Sequence, residues 1–256
     1  MPINLENFIV FGLVMIRMTG MLVMHPILGR NNIPSMLNAG FALVLTILIT
    51  MSMPFAQMPN VGYLEFILMG LREFAIGYFA GLITLMFLSV LSVGGEILDM
   101  QIGIGMAKIM DPGTNAAISI SSIMLNSMYI LIFFITNNHL TLISLTAQSF
   151  HIMPLGEFAI NWNAFHYLPQ FMATIFIFAI KLALPIVVIE VLVTLVVGVI
   201  MRVVPQINIF VLNIQFKLLI GFFALFTIVP SFMAYLENLI LLSTEQIMYV
   251  WSNLAI

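Results

Sequence analysis

The sequence predicts an all-α, polytopic membrane protein with about six long apolar helices. Of its 256 residues, 62% are hydrophobic and only 7% are charged. Soluble domains are typically about 25% charged, so 7 Lys+Arg and 10 Asp+Glu side chains are too few to coat a soluble globule of this size. The apolar runs are also too long for the strands of a membrane barrel and lack their alternation.

Composition excludes one further class of protein and two kinds of cysteine-dependent site. A nucleic-acid binder is excluded because the chain has no basic patch that could neutralise phosphates. Disulfide frameworks and thiolate metal sites are excluded because the chain contains 0 Cys. The net charge of −3 is too small to indicate a partner.

Six apolar stretches define the predicted helices. Most approach the roughly 20 residues that cross about 30 Å of hydrocarbon, although the second is short and the last two exceed a simple span. Pro185 and Pro230 lie inside the last two and are expected to bend them, because proline removes a helical N–H. In chain order the stretches are 8–24, 39–53, 74–93, 118–136, 171–201 and 209–242.

Charged side chains inside these stretches are the first candidates for function, among them Arg17, Lys181, Glu190 and Lys217. A charge at the bilayer centre costs at least roughly 2.5–3.5 kcal/mol, so each should find a partner in protein or water. Glu190 lies 14 residues before a chain reversal near position 204 and Lys217 lies 13 residues after it. An antiparallel hairpin therefore brings Glu190 and Lys217 to one depth, either as a buried structural pair or as a proton or ion relay.

A row of glycines indicates close helix packing. Gly70, Gly77 and Gly81 are spaced seven and four residues apart, so they share one face of a helix. Gly77 and Gly81 match the G-x-x-x-G pattern that lets two helix backbones approach closely. We expect this face to pack against another helix.

Motifs for catalysis and for bound cofactors are absent from the sequence. It has no phosphate-binding G-x-x-x-x-G-K-[ST] loop and no G-x-S-x-G nucleophile turn. Its 4 His show neither H-x-x-x-H nor H-E-x-x-H spacing. We therefore expect no enzyme activity and no catalytic, cofactor-binding or metal site.

A Gly-rich connection after the third apolar stretch, 94–115, carries the most distinctive motif. It combines the pattern Gly95, Glu96, Gln101 and Gly103 with a following Asp111-Pro112. This pattern resembles the G-E-x-x-x-x-Q-x-G…D-P signature of the flagellar biosynthetic protein FliR family, the R component of the type III export gate.

Three other stretches agree with that family in chain order. The asparagine pair before His139 resembles its N-G-H, with Asn138 in place of the usual Gly. An S-F…x-P match follows, formed by Ser149, Phe150 and Pro154. The corner after the fifth stretch resembles its R-x-x-P-Q-x-N-x-F pattern through Arg202, Pro205, Gln206, Asn208 and Phe210.

The resemblance implies partners and an architecture. Family members resemble single-copy subunits that join several P-type and Q-type subunits in a closed helical cone of broken, kinked hairpins. Unfolded flagellar proteins pass through this cone in the inner membrane, at the flagellar basal body, and the B-type switch protein of the export apparatus is a further implied partner. The same likeness divides the chain into a P-like unit, 1–169, and a Q-like helix hairpin, 170–256.

The family's long third connection resembles a plug across the pore, and here it corresponds to about 106–122. Glycines permit loop mobility, an Asp-Pro step starts a turn and methionines make compliant contacts. An ordinary turn between two helices is the alternative. The residues assigned to the plug are Met106, Met110, Asp111, Pro112, Gly113, Thr114, Asn115 and Ser119.

Two other functions compete with an export gate. A secondary transporter with broken helices is suggested by Lys181, Pro185 and Glu190. It predicts inverted repeats, which the sequence does not show, and solute transport in proteoliposomes. An intramembrane enzyme is disfavoured by the missing catalytic motifs.

Overall fold

The described part of the protein consists of α-helices and their connections. A computed structural model of the chain describes residues 5–30, 33–52, 62–105, 119–156, 168–203 and 209–254, and no strand occurs among them. The predicted all-α fold is therefore confirmed. The helices are α1 (Leu5–Met24), α2 (Ser35–Ser52), α3 (Tyr63–Ile102), α4 (Ile120–Ile135), α5 (Asn138–Ile152), α6 (Leu168–Val203) and α7 (Ile209–Leu254).

Four of these helices, α2, α3, α6 and α7, are long and apolar enough to cross a membrane, and α4 with α5 would make a fifth span if counted together. The 36 residues of α6 and the 46 of α7 exceed a simple span, because about 20 helical residues cross the hydrocarbon core. Pro185 and Pro230 lie within these two helices, which continue on both sides of them.

The third helix is longer than its apolar stretch predicted. It runs from Tyr63 to Ile102, so the prediction that a connection begins at Gly94 was wrong. Glycine is unfavourable inside a helix unless packing compensates. A Cβ on Gly94 would lie 2.7 Å from Leu182 Cδ2, and one on Gly95 would overlap Ser122, so the absent side chains make room for neighbouring helices.

A helix also occupies part of the predicted connection between the fourth and fifth apolar stretches. α5 begins directly after Asn137, which adopts the left-handed conformation at φ 57°. Asparagine tolerates this conformation better than most residues, so it can end one helix and start the next. The helix was missed because it mixes polar side chains with apolar ones and is not a long apolar run.

The chain forms two compact units, each with its own core. The first comprises Met1–Phe87, Asn137–Leu168 and Ile240–Ile256, and the second comprises Leu88–Thr136 and Pro169–Leu239. Side chains buried in the first unit include Leu13, Met18, Met21, Ile76 and Trp251. Side chains buried in the second include Leu98, Ile102, Leu125, Tyr129 and Ile186.

Candidate functional site

Four charged side chains are buried within the described residues, and they are Arg17, Glu73, Asp99 and Glu190. Burying a charge is costly unless it is paired and hydrogen-bonded. The partners of these four groups therefore show which of them stabilise the fold and which lack a structural role.

Arg17 of α1 is the centre of a polar cluster in the first unit. It is 0% exposed. Its Nε donates to Glu73 Oε2 of α3 at 2.5 Å and its Nη1 donates to Ser149 Oγ of α5 at 2.9 Å. Nη2 donates to the carbonyl oxygen of Met153 at 3.0 Å, and the Phe150 ring lies 4.0 Å from the guanidinium carbon. One cation thus joins α1, α3 and the end of α5.

The residues of the S-F…x-P motif bind the guanidinium group of Arg17. Ser149 supplies the hydroxyl, Phe150 supplies the ring face, and the residue before Pro154 supplies the carbonyl oxygen. Together with Glu73, these contacts give each of the three guanidinium nitrogens an acceptor, as a group with donors and no acceptor requires. The stretch that carried part of the family resemblance therefore holds a buried charge in place.

Sequence reasoning identified Arg17 as needing a partner but missed Glu73. The signal was available in the glycine row, because position 73 lies between Gly70 and Gly77 on the same helical stripe. A helix that packs along those glycines must bring its own residues close to Glu73. The ion pair follows from that register.

The predicted glycine face lies against the backbone of α1. A Cβ on Gly77 would overlap the carbonyl oxygen of Arg17 and lie 2.8 Å from the Met21 nitrogen. A Cβ on Gly81 would lie 2.6 Å from the Met21 oxygen, and one on Gly70 would lie 3.1 Å from an isoleucine side chain of α1. This backbone-to-backbone approach leaves little room for any side chain at the first two positions.

Asp99 fixes the end of α3 and the start of α4 in the second unit. Its carboxylate accepts the N–H of Ile120 at 2.8 Å and that of Ser121 at 3.1 Å. Its carbonyl oxygen accepts the N–H of Gly103 at 3.2 Å, and Gly103 leaves the helix at φ 94°. A carboxylate at a helix N-terminus satisfies free amides and complements the helix dipole.

The same junction is packed by serines and a glycine. Ser119 caps α4 by accepting the N–H of Ser122 at 3.1 Å. The hydroxyl of Ser122 donates to the carbonyl oxygen of Ser92 at 2.9 Å, and Gly95 lies so close to Ser122 that no Cβ would fit. Gly95 and Gly103, two motif glycines, therefore serve helix contact and helix termination respectively.

The other predicted site residues divide by whether the structure describes them. Glu96 and Arg202 are exposed and Gln101 is half-buried. Ser119 is the plug residue that falls within the described part, where it is buried. The predicted residues that lie outside the described ranges are Met106, Met110, Asp111, Pro112, Gly113, Thr114, Asn115, Pro205, Gln206 and Asn208.

Glu190 of α6 is buried in the second unit without a hydrogen-bond partner. It is 0% exposed, and neither carboxyl oxygen has a donor in the described part of the chain. Its Oε1 lies 2.7 Å from the point where a Cβ on Gly221 of α7 would stand, and two Ile102 carbons lie 2.9 Å from that point. The carboxyl group therefore sits against a glycine of α7 and the last residue of α3.

Lys217 lies near Glu190 but does not form an ion pair with it. The two charges interact electrostatically, yet no salt bridge within 4.0 Å joins these two described residues. Lys181, nine residues before Glu190 and therefore on the opposite face of α6, is exposed. The pairing of Glu190 with Lys217 stays a prediction.

No metal centre is indicated by the described residues. Among them, no group of three His, Cys, Asp or Glu side chains comes close enough to hold an ion.

Comparison with known proteins supplies the family. A model of the family described as bacterial export proteins, family 1, matches residues 8–242. The chain belongs to this family. The family resemblance seen in the sequence motifs is thereby confirmed, and the matched region contains all four buried charges.

Relatives in this family have similar lengths. The chain is 27% identical over 225 residues to flagellar biosynthetic protein FliR of Escherichia coli (strain K12), covering 88% of this chain and 86% of the relative. It is 26% identical over 247 residues to that of Bacillus subtilis (strain 168), covering 94% of each. It is 30% identical over 178 residues to that of Buchnera aphidicola subsp. Acyrthosiphon pisum (strain APS), covering 70% and 69%. With its long apolar helices, the chain is a membrane protein of bacterial export.

Proposed function

We propose that this chain is a subunit of the flagellar type III protein export gate in the bacterial inner membrane. With P-type and Q-type subunits it forms the channel that passes unfolded flagellar proteins. The observation that carries this proposal is the family match over residues 8–242, with relatives that bear the name flagellar biosynthetic protein FliR at up to 94% coverage. The B-type switch protein is a further partner in this proposal.

The surface of α6 supports a role inside an assembly. Its 36 residues extend about 54 Å at roughly 1.5 Å per residue, well beyond about 30 Å of hydrocarbon. Exposed apolar side chains follow most of its length: Phe176, Ile177, Ile180, Leu184, Val188, Val191, Leu192, Leu195, Val196 and Val199. Apolar surface beyond the lipid needs protein cover, because large exposed apolar patches mark interaction sites.

We also propose that residues 106–122 plug the pore. What supports this is that Asp99 holds both ends of the segment, since its carbonyl oxygen accepts from Gly103 just before the segment and its carboxylate accepts from Ile120 near the end of it. We call these contacts the base of the segment. Ser119, near the end of the segment, is the buried N-cap of α4 and belongs to that base. In this proposal the part of the segment that blocks the pore therefore precedes Ser119.

The assembly is tested by expressing the tagged chain with P-type and Q-type subunits from one organism. We expect a large defined complex after detergent extraction, and we expect the chain to restore hook-protein secretion in a strain that lacks its own copy. A stable monomer that transports a solute in proteoliposomes would instead support the secondary-transporter alternative.

The plug is tested by deleting residues 114–118, which spares Ser119 and its cap. We expect the complex to assemble in normal yield, because the base of the segment is kept. The membrane should become permeable to small ions, because the residues that seal the pore are removed. The matched control is replacement of the same five residues by a Gly/Ser sequence of equal length. A deletion variant that assembles and stays fully impermeable would place the seal in the partner subunits.

A further inference from the structure

We propose that Glu190 is a proton-binding site, which holds one proton in the arrangement described and takes Lys217 as its counter-ion when that proton leaves. The inference concerns the helices of this chain alone and does not rest on the proposed gate function. It starts from a buried carboxyl group that neither forms a hydrogen bond between helices nor belongs to the cluster around Arg17.

The surroundings of Glu190 favour the neutral acid. Its side chain is 0% exposed, and both oxygens lack a hydrogen-bond donor in the described part of the chain. An ionised carboxylate with no exposed surface and no donor is costly to bury, whereas a neutral acid loses much less on burial. A bound proton therefore removes the free-energy cost of burying an unpaired negative charge.

The absence of a side chain at Gly221 makes room for the carboxyl group. Glu190 Oε1 comes within 2.7 Å of the point where a Cβ on Gly221 would stand, so any side chain there would displace it. Ile102 closes the same space with two carbons at 2.9 Å from that point. The carboxyl group thus packs closely against α7 and the last residue of α3, in what we call the Glu190 pocket.

The charged groups around this pocket are few. From α7, Lys217 lies one helical turn before Gly221, is half-buried and interacts electrostatically with Glu190. In the last turn of α3, the Asp99 carboxylate is already occupied by two amides of α4. On α6 itself Lys181 is exposed. Lys217 is therefore the group available to neutralise an ionised Glu190.

Release of the proton needs no further reactant. The O–H bond of the carboxyl group breaks, its electron pair stays on the oxygen, and the proton passes to water. Lys217 keeps its own proton and moves from electrostatic range into a direct ion pair. Glu73 is the internal contrast, because its carboxylate is bound to Arg17 and has a counter-ion already.

Infrared spectroscopy of the full chain in lipid tests this directly. A protonated carboxyl group shows an acid C=O stretch, and the band of Glu190 is isolated by subtracting the spectrum of Glu190→Gln from that of the wild type. We expect one acid band in this difference at neutral pH and its loss as the pH is raised. The matching difference for Glu73→Gln should show no acid band.

The counter-ion is tested with Lys217→Met. Removing the lysine should leave the acid band in place and move its disappearance upward by about one pH unit or more, a tenfold change in proton affinity. Absence of an acid band at neutral pH in the wild type minus Glu190→Gln difference would overturn the proposal. An unchanged titration in Lys217→Met would overturn the role of Lys217.

Discussion

Glu73 and Glu190 are both acidic side chains buried in apolar helices, but their surroundings differ. Glu73, in the first unit, pairs with Arg17, which also binds a hydroxyl, a carbonyl oxygen and an aromatic ring. Glu190, in the second unit, has no donor on either oxygen among the described residues. Each nitrogen of Arg17 thus has an acceptor, whereas the carboxyl group of Glu190 is unsatisfied.

The contrast separates charges that stabilise the fold from charges that are free to bind a proton or a counter-ion. A buried polar network that is fully satisfied rigidifies its surroundings, while a partly satisfied one is costly. The Arg17 cluster can gain little from any change of state, so it is best understood as a fixed joint of α1, α3 and α5. Glu190 has something to gain from a proton or a counter-ion, and can therefore respond to its conditions.

Arg17→Met is expected to have the largest effect of any single change considered. It leaves Glu73 buried without its counter-ion, and breaking a buried pair from one side costs roughly 3–5 kcal/mol. The measurement is the thermal midpoint and the yield of the chain extracted in detergent, and both should fall sharply. Arg72→Met is the matched control, since Arg72 neighbours Glu73 in sequence but is exposed.

A double replacement, Arg17→Met with Glu73→Leu, should recover part of that loss. Removing both charges leaves no uncompensated ion, and apolar replacements of a buried pair are often tolerated. A double variant no more stable than Arg17→Met would show that the lost contacts to Ser149 and Phe150, and not the stranded carboxylate, cause the defect.

Gly77→Ala should have the next largest effect. Even one methyl group would overlap the carbonyl oxygen of Arg17, so α1 and α3 must separate at the level of the ion pair. Gly40→Ala in α2 is the control, because nothing lies within 4 Å of a Cβ there. The control should be neutral or gain up to roughly 1 kcal/mol from better helix propensity.

Leucine at Gly77 extends this test to the assembled complex. Its larger side chain should lower the yield of complex further than alanine does. Normal assembly of a chain with Leu at both Gly77 and Gly81 would show that this face does not need to approach α1 closely.

The sequence was sufficient for the fold class because composition alone decides it. A chain with 7% charged residues and long apolar runs has few options besides membrane helices. The boundaries were less predictable, since Gly94 and Gly95 continue a helix only because Leu182 and Ser122 occupy the space beside them. Such packing is a property of the folded chain and leaves no local signal.

The candidate site was predictable to a similar degree. Arg17 and Glu190 stood out because charges are rare in apolar runs, but their partners depend on how separate helices align. Motif residues such as Gly103 and Ser149 were found by family likeness, without their physical roles. The structure supplies those roles: Gly103 ends α3 in a left-handed turn, and Ser149 holds Arg17.

Asp99→Ala should have a smaller and more local effect than changes at Arg17. It leaves the amides of Ile120 and Ser121 without their acceptor, which costs roughly 1–3 kcal/mol for buried groups. Hydrogen exchange should accelerate in the first turn of α4 and remain unchanged in α5. Glu96→Ala, one turn earlier and exposed, is the control; equal acceleration in both variants would contradict the role of Asp99.

Glu190→Gln is expected to have the smallest effect on stability, and it tests the comparison most sharply. Glutamine has the shape of the neutral acid, so if Glu190 carries a proton the exchange changes little in the pocket beside Gly221. Glu73→Gln, the same chemical change, should be clearly destabilising because it removes the counter-ion of a buried arginine. The measurement is the thermal midpoint of both variants in one detergent. Equal losses would show that Glu190 is ionised and paired with Lys217, so that the two sites are alike after all.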